Sequence, residues 1–211
     1  MLSFPSHEST FLFPGPAGDI EIVTTAPESN LPTASVIICH PHPLYGGTLH
    51  NKVVSVLARA FQNLGLRTVR FNFRGVGKSA GVHDEGRGET TDVIVLAQWL
   101  QMLFPRDALW LAGFSFGGFV AASAATQLSV ERLISIAPQV SRFLSPKLSP
   151  ITCPWVIVQG EEDDIVSPDE VYAWVKTLQP RPQLIRFPGA GHFFHGQLVQ
   201  LRQTLEAVLK P

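Results

Sequence analysis

Short apolar runs alternate along this chain with segments of helical periodicity: "SVIICH" (35–40), "LRTVRFNF" (66–73), "ALWLAGF" (108–114), "RLISIA" (132–137), "WVIVQG" (155–160) and "PQLIRF" (182–187) each read as a strand. Runs this apolar are expected of strands covered on both faces, and parallel neighbours need a crossover between them. The alternation therefore predicts βαβ units and an α/β fold in three layers, a mostly parallel sheet of about seven or eight strands with helices on both faces. Two short strands around residues 10–13 and 19–25 flank the turn signal "PGPAGD". Helices are expected from Asn51, with Val53, Val54, Leu57, Phe61 and Leu64 in phase and Gly65 as a stop, and from about Thr91 to Phe104, closed by Pro105. Others follow at "FGGFVAASAATQL", at "SPDEVYAWVKTL" with Ser167 as N-cap and Pro168 at the first helical position, and at the C-terminus through Leu198, Leu201, Leu205 and Val208. In such a sheet functional residues belong in the loops at the carboxyl ends of the strands.

The 211 residues suit one domain, 1–211, without internal repeat or linker. Sixteen Lys and Arg against 17 Asp and Glu, with no basic run, offer nucleic acid or an anionic membrane no electrostatic footprint. The expected partner is a small molecule, bound by a monomer or homodimer. "MLSFPSHEST" has neither the basic nor the apolar region of a signal peptide, and no apolar run reaches bilayer length, so a cytoplasmic protein is expected. Cys39 and Cys153 lack paired spacing and read as buried free thiols.

Gly113-Phe114-Ser115-Phe116-Gly117 fits Gly-x-Ser-x-Gly between a strand and a helix. In that context the pattern describes a strained turn that projects a serine hydroxyl at the sheet edge. A small-residue turn that merely lets helix and strand pack closely reads equally well from these residues alone. Two later features favour chemistry. "WVIVQG" runs into "EEDDIV", which puts a carboxylate past a strand end, and the last strand runs into "PGAGHFF", which puts His192 past another. His195 is the rival histidine, placed near the start of the last helix.

The chain resembles the serine α/β-hydrolases, and most closely a small bacterial subgroup without a lid, through "HPHPLYGGTLHNKVV", "FNFRGVGKSAG", "GFSFGG", "QGEEDDIV" and "GAGHFF". The order serine, acid, histidine at successive strand ends is that of their triad. The resemblance implies Ser115 as nucleophile, His192 as base and Asp163 rather than Asp164 as the residue that orients the imidazole. Glu161 and Glu162 read as solvated. Phe116 N–H, at the start of its helix, is the first expected oxyanion donor. The resemblance suggests His42 N–H as the second, while Pro41 and Pro43 leave Leu44 or Tyr45 open as alternatives.

Only residues 138–154 separate two strands where many relatives insert a lid, so no cap domain and an open site are expected. Tyr45, Leu44, Phe114 and Phe193 are expected to line an apolar, uncharged pocket suited to short- or medium-chain acyl esters. Peptidase, amidase or thioesterase activity on the same triad, or a binding protein of this fold, are the alternatives. No cofactor is called for. His40 and His42 lack a third ligand at metal-site spacing. "NFRGVGKS" has Asn where a phosphate-binding loop needs its first glycine, and reads as a post-strand loop tied down by Arg74 and Ser79, with Asp84, Glu85 and Glu89 as a solvated rim.

Overall fold

Eight strands form one sheet in the order β1-β2-β4-β3-β5-β6-β7-β8. The computed structural model describes residues 4–27, 34–144 and 149–210. β1 (Ser9–Gly15) and β2 (Gly18–Thr25) form an antiparallel hairpin, and β2 runs antiparallel to β4 (Arg67–Phe71). The rest of the sheet is parallel: β4 beside β3 (Ala34–Cys39), then β5 (Ala108–Phe114), β6 (Arg132–Ile136), β7 (Trp155–Gly160) and β8 (Gln183–Phe187).

Period-two alternation assigns the two faces. Val36, Ile38, Trp110, Ala112, Ile134, Val156 and Val158 pack against α1 (Lys52–Asn63) and α6 (Leu198–Val208) through Val53, Leu57, Phe61, Leu201 and Leu205. Ile37, Leu111, Leu133 and Ile157 face α2 (Arg87–Leu103), α3 (Phe116–Ala125) and α5 (Pro168–Thr177) through Leu96, Val120, Val171 and Trp174. Full burial of a Leu or Val side chain contributes about 1.5–3 kcal/mol, so these two seams dominate the stability. Asn51 caps α1 by accepting from Val53 N–H at 2.9 Å, and Gly65, with φ of 82°, ends it in the left-handed region.

Helix α2 begins four residues earlier than the sequence predicts. Glu89 is fully buried, not part of a solvated rim: its carboxylate accepts from the N–H groups of Gly86 and Asp84 at 2.8 and 2.9 Å and meets His83 Nδ1 at 2.9 Å. This cap starts the helix inside a glycine-rich stretch that reads as loop. Arg74 fixes the same region from the other side, with Nε and Nη2 donating to both Asp92 carboxylate oxygens and Nη2 also to Gly88 C=O. Ser79 Oγ donates to Asn72 C=O and accepts from Glu21 N–H. Two short elements escape the sequence pattern, a 3₁₀ turn at Pro43–Tyr45 and α4 (Ser141–Leu144). Cys39 is buried as expected, whereas Cys153 is half-buried, and both are free thiols.

The chain leaves β3 toward β4 on one side and reaches β5 on the other. That reversal opens a crevice at the carboxyl ends of β3 and β5, the place where ligands bind in open α/β sheets. No helix among the described residues is long and apolar enough to cross a membrane.

Candidate active site

Ser115 occupies the single residue between β5 and α3, with φ 55° and ψ −118°. A non-glycine residue in that region carries roughly 1–3 kcal/mol of strain, and persists only where its surroundings enforce it. Here Ser115 N–H donates to Ile136 C=O and its carbonyl accepts from Gly118 N–H, both at 2.9 Å. The flanking glycines are sterically required. A Cβ on Gly113 would lie 2.1 Å from Gly117 C=O, and one on Gly117 would lie 2.3 and 2.4 Å from the carbonyl oxygens of Cys39 and His40. The start of α3 thus presses against the backbone that leaves β3.

Asp163 follows β7 in a turn held to the end of β8 by Glu161 N–H on Phe187 C=O and Glu162 N–H on Ala190 C=O, each at 3.0 Å. One carboxylate oxygen accepts from the Ile165 and Val166 N–H groups at 2.9 and 2.7 Å; the other accepts from Gln159 Nε2 at 2.9 Å and from His192 Nδ1 at 2.8 Å. Burial works against its ionisation, but the bonds from His192 and the two backbone donors outweigh burial and hold its pKa below the usual aspartate value. Asp164, Glu161 and Glu162 are exposed.

His192 is 4% exposed, with its ring 4.9 Å from that of Phe114, the residue preceding Ser115, and edge-on to Phe193 at 5.1 Å. Donation from Nδ1 to Asp163 leaves Nε2 with its lone pair, free to take a proton. His195 is exposed and stacks outside the site on Phe193.

The 3₁₀ turn bears on the oxyanion donors. Leu44 N–H donates to His42 Nδ1 at 3.3 Å, and Tyr45 and Gly47 N–H donate to His42 C=O at 3.1 Å. The Leu44 and Tyr45 donors are therefore engaged within the turn, which favours His42 N–H of the three expected candidates. Phe116, as the first residue of α3, has no carbonyl one turn earlier within its helix to take its N–H.

A cavity of about 150 Å³ holds Ser115 and is lined by His42, Tyr45, Gln139, Val140, Ile165 and Glu170 among others. Of the four expected pocket residues it contains only Tyr45. Phe114 is fully buried core, on the α1/α6 face with Trp110 and Ala112, and Leu44 and Phe193 lie exposed outside the cavity. Nor is the site uncharged. Glu170 lines the cavity, and Arg142, paired with Glu85 at 2.7 Å, brings Nη2 to 3.2 Å from His42 Nε2 behind it. Gln159, Arg142 and Glu170 carry no motif that would have singled them out.

His40 is buried with both ring nitrogens hydrogen-bonded to backbone groups. Among the described residues no group of three or more His, Cys, Asp or Glu could hold a metal ion.

Residues 35–153 match a family model described as the alpha/beta hydrolase fold. An uncharacterized protein of Rickettsia prowazekii (strain Madrid E) is 36% identical over 208 residues, 93% of this chain and 87% of that protein. The structure of an alpha-beta serine hydrolase homologue from Coxiella burnetii superposes with a TM-score of 0.93 at 44% identity, covering 98% of this chain and 100% of that one. A serine hydrolase without lid from Xanthomonas campestris does so with a TM-score of 0.92 at 43% identity, covering 97% and 94%.

Proposed function

The chain belongs to the alpha/beta hydrolase fold family, and on that premise we propose that it is a serine carboxylesterase that cleaves short- to medium-chain acyl esters. The observation that carries this reading is the buried His192–Asp163 hydrogen bond at a strand end beside the strained Ser115 turn. Ser115 Oγ attacks the ester carbonyl as His192 Nε2 takes its proton; the negative oxygen that develops faces the N–H groups of Phe116 and His42. Collapse expels the alcohol, which receives the proton from His192 and leaves an acyl-Ser115. Water then repeats the sequence and releases the acid. Asp163 stays ionised throughout, keeping Nδ1 protonated and stabilising the imidazolium.

The size and walls of the cavity support a short acyl group. About 150 Å³ is below the roughly 300–1,000 Å³ of pockets that take drug-sized ligands, which suits a short acyl chain. Val140, Ile165 and Val166 supply an apolar wall. The test is a p-nitrophenyl ester series from acetate to octanoate, run beside p-nitroacetanilide with wild type and Ser115→Ala. The reading expects kcat/KM to peak at acetate to butyrate and to vanish in the variant. Anilide turnover above ester turnover, or full activity in the variant, would overturn it.

A further inference from the structure

His40 lies fully buried between two loops that the mechanism does not join. Its Nδ1 is 2.6 Å from Pro41 C=O, and its Nε2 is 3.0 Å from the N–H of Phe73, just past the end of β4, against whose ring it packs at 4.3 Å. A backbone N–H can only donate and a carbonyl can only accept, so these partners dictate a single tautomer: Nδ1 carries the proton and gives it to Pro41, and Nε2 accepts from Phe73. Burial lowers the ring's pKa to about 4, against which the Pro41 bond acts, so the ring is neutral where the enzyme works.

The carbonyl so held belongs to the same peptide unit as His42 N–H. The peptide is planar and trans, with C=O and N–H pointing in opposite directions. Fixing the Pro41 oxygen toward the His40 ring therefore turns His42 N–H away from that ring. The start of α3 lies alongside: Gly117 stands so close to the Cys39 and His40 carbonyls that a Cβ would clash, and the His42 and Phe116 rings are 4.7 Å apart. Leu49 N–H, bonded at 2.8 Å to Asn72 Oδ1, fixes the far end of the same loop to the same post-β4 segment.

We propose that His40 is the positioning residue of the oxyanion hole, aiming the second donor, His42 N–H, by holding the Pro41 carbonyl. This rests on the serine-esterase reading and adds to it a residue that never touches substrate.

Two variants separate the two bonds. The Asn amide sits where Nδ1 does and can still donate to Pro41; the Gln amide reaches the Nε2 position and can still accept from Phe73. His40→Asn should keep kcat for p-nitrophenyl acetate within about threefold of wild type. His40→Gln should lose about 10²–10³-fold in kcat with little change in KM, the usual effect of removing one oxyanion donor. Each loses one buried hydrogen bond, so melting temperatures should fall alike, and only aim should divide the rates. Equal loss of kcat in both, or wild-type kcat in His40→Gln, would overturn the proposal. If wild type turns over no ester, the esterase reading fails by itself and the rate of fluorophosphonate labelling of Ser115 replaces kcat as the readout. One measurement needs no variant: nitrogen NMR of wild-type His40 should show Nδ1 protonated and Nε2 bare, and the opposite tautomer would contradict the proposal even if neither variant folds.

Discussion

His192 Nδ1 lies 2.8 Å from an Asp163 oxygen whose carboxylate already takes hydrogen bonds from Ile165 N–H, Val166 N–H and Gln159 Nε2. Every neighbour of this carboxylate is a donor, so it is built to stay an anion, and an anion there dictates which imidazole nitrogen holds the proton.

Asp163→Asn is accordingly expected to cost far more than its change in size suggests. The new NH2 must replace one oxygen and so face two donors, either the Ile165 and Val166 N–H groups or Gln159 Nε2 and His192 Nδ1, and in the second orientation the imidazole takes the wrong tautomer. In serine hydrolases that change costs on the order of 10⁴ in kcat. Steady-state kinetics should show this loss for Asp163→Asn and less than about a twofold change for Asp164→Asn at the exposed neighbouring position. Equal effects would remove Asp163 from the mechanism.

Gly117→Ala tests the packing under the Ser115 turn. Its Cβ would meet backbone carbonyls of Cys39 and His40, which cannot swing aside as a flexible side chain would. Overpacking of this kind typically costs about 1–3 kcal/mol or more. Urea unfolding should show a loss of at least that size, together with reduced turnover. Gly46→Ala, where a Cβ meets nothing within 4 Å but φ is 78°, should lose only about 1 kcal/mol. Reversal of that order would mean that α3 and β3 are not pressed together as described.

Acid should destabilise the fold through His40. Its ring takes a proton only near pH 4 in the folded protein, whereas an unfolded histidine does so near 6.5. Between those values the unfolded chain binds more protons, so stability is complete above about pH 6.5 and falls as the pH drops toward 4, by roughly 3 kcal/mol. Asp163, whose pKa is depressed, adds a loss of the same sign at still lower pH. Unfolding free energies at pH 7 and pH 4.5 should differ by clearly less in His40→Asn than in wild type. An identical difference would contradict the burial of a neutral His40.

The parallel strands are legible in the sequence because each is covered on both faces and so is apolar throughout, and the turn at Ser115 is legible because only glycine fits at 113 and 117. The start of α2 is not, because Gly86 and Gly88 read locally as loop while the cap comes from Glu89, whose burial depends on tertiary packing. Arg142, Gln159 and Glu170 reach the site from separate elements with no local pattern to mark them. Phe114 teaches the opposite lesson: adjacency to Ser115 suggests the pocket, yet strand alternation puts it with Trp110 and Ala112 on the face away from it. Period two was a better guide than proximity along the chain.

In the proposed reaction Ser115 Oγ is the atom that forms the covalent intermediate. Intact-mass measurement after reaction with a fluorophosphonate, followed by peptide mapping, addresses this without any choice of substrate. One adduct per chain on Ser115, none in Ser115→Ala, and slowed labelling in Asp163→Asn are the expected results. An adduct on another residue, or undiminished labelling of Ser115→Ala, would contradict the account at its centre.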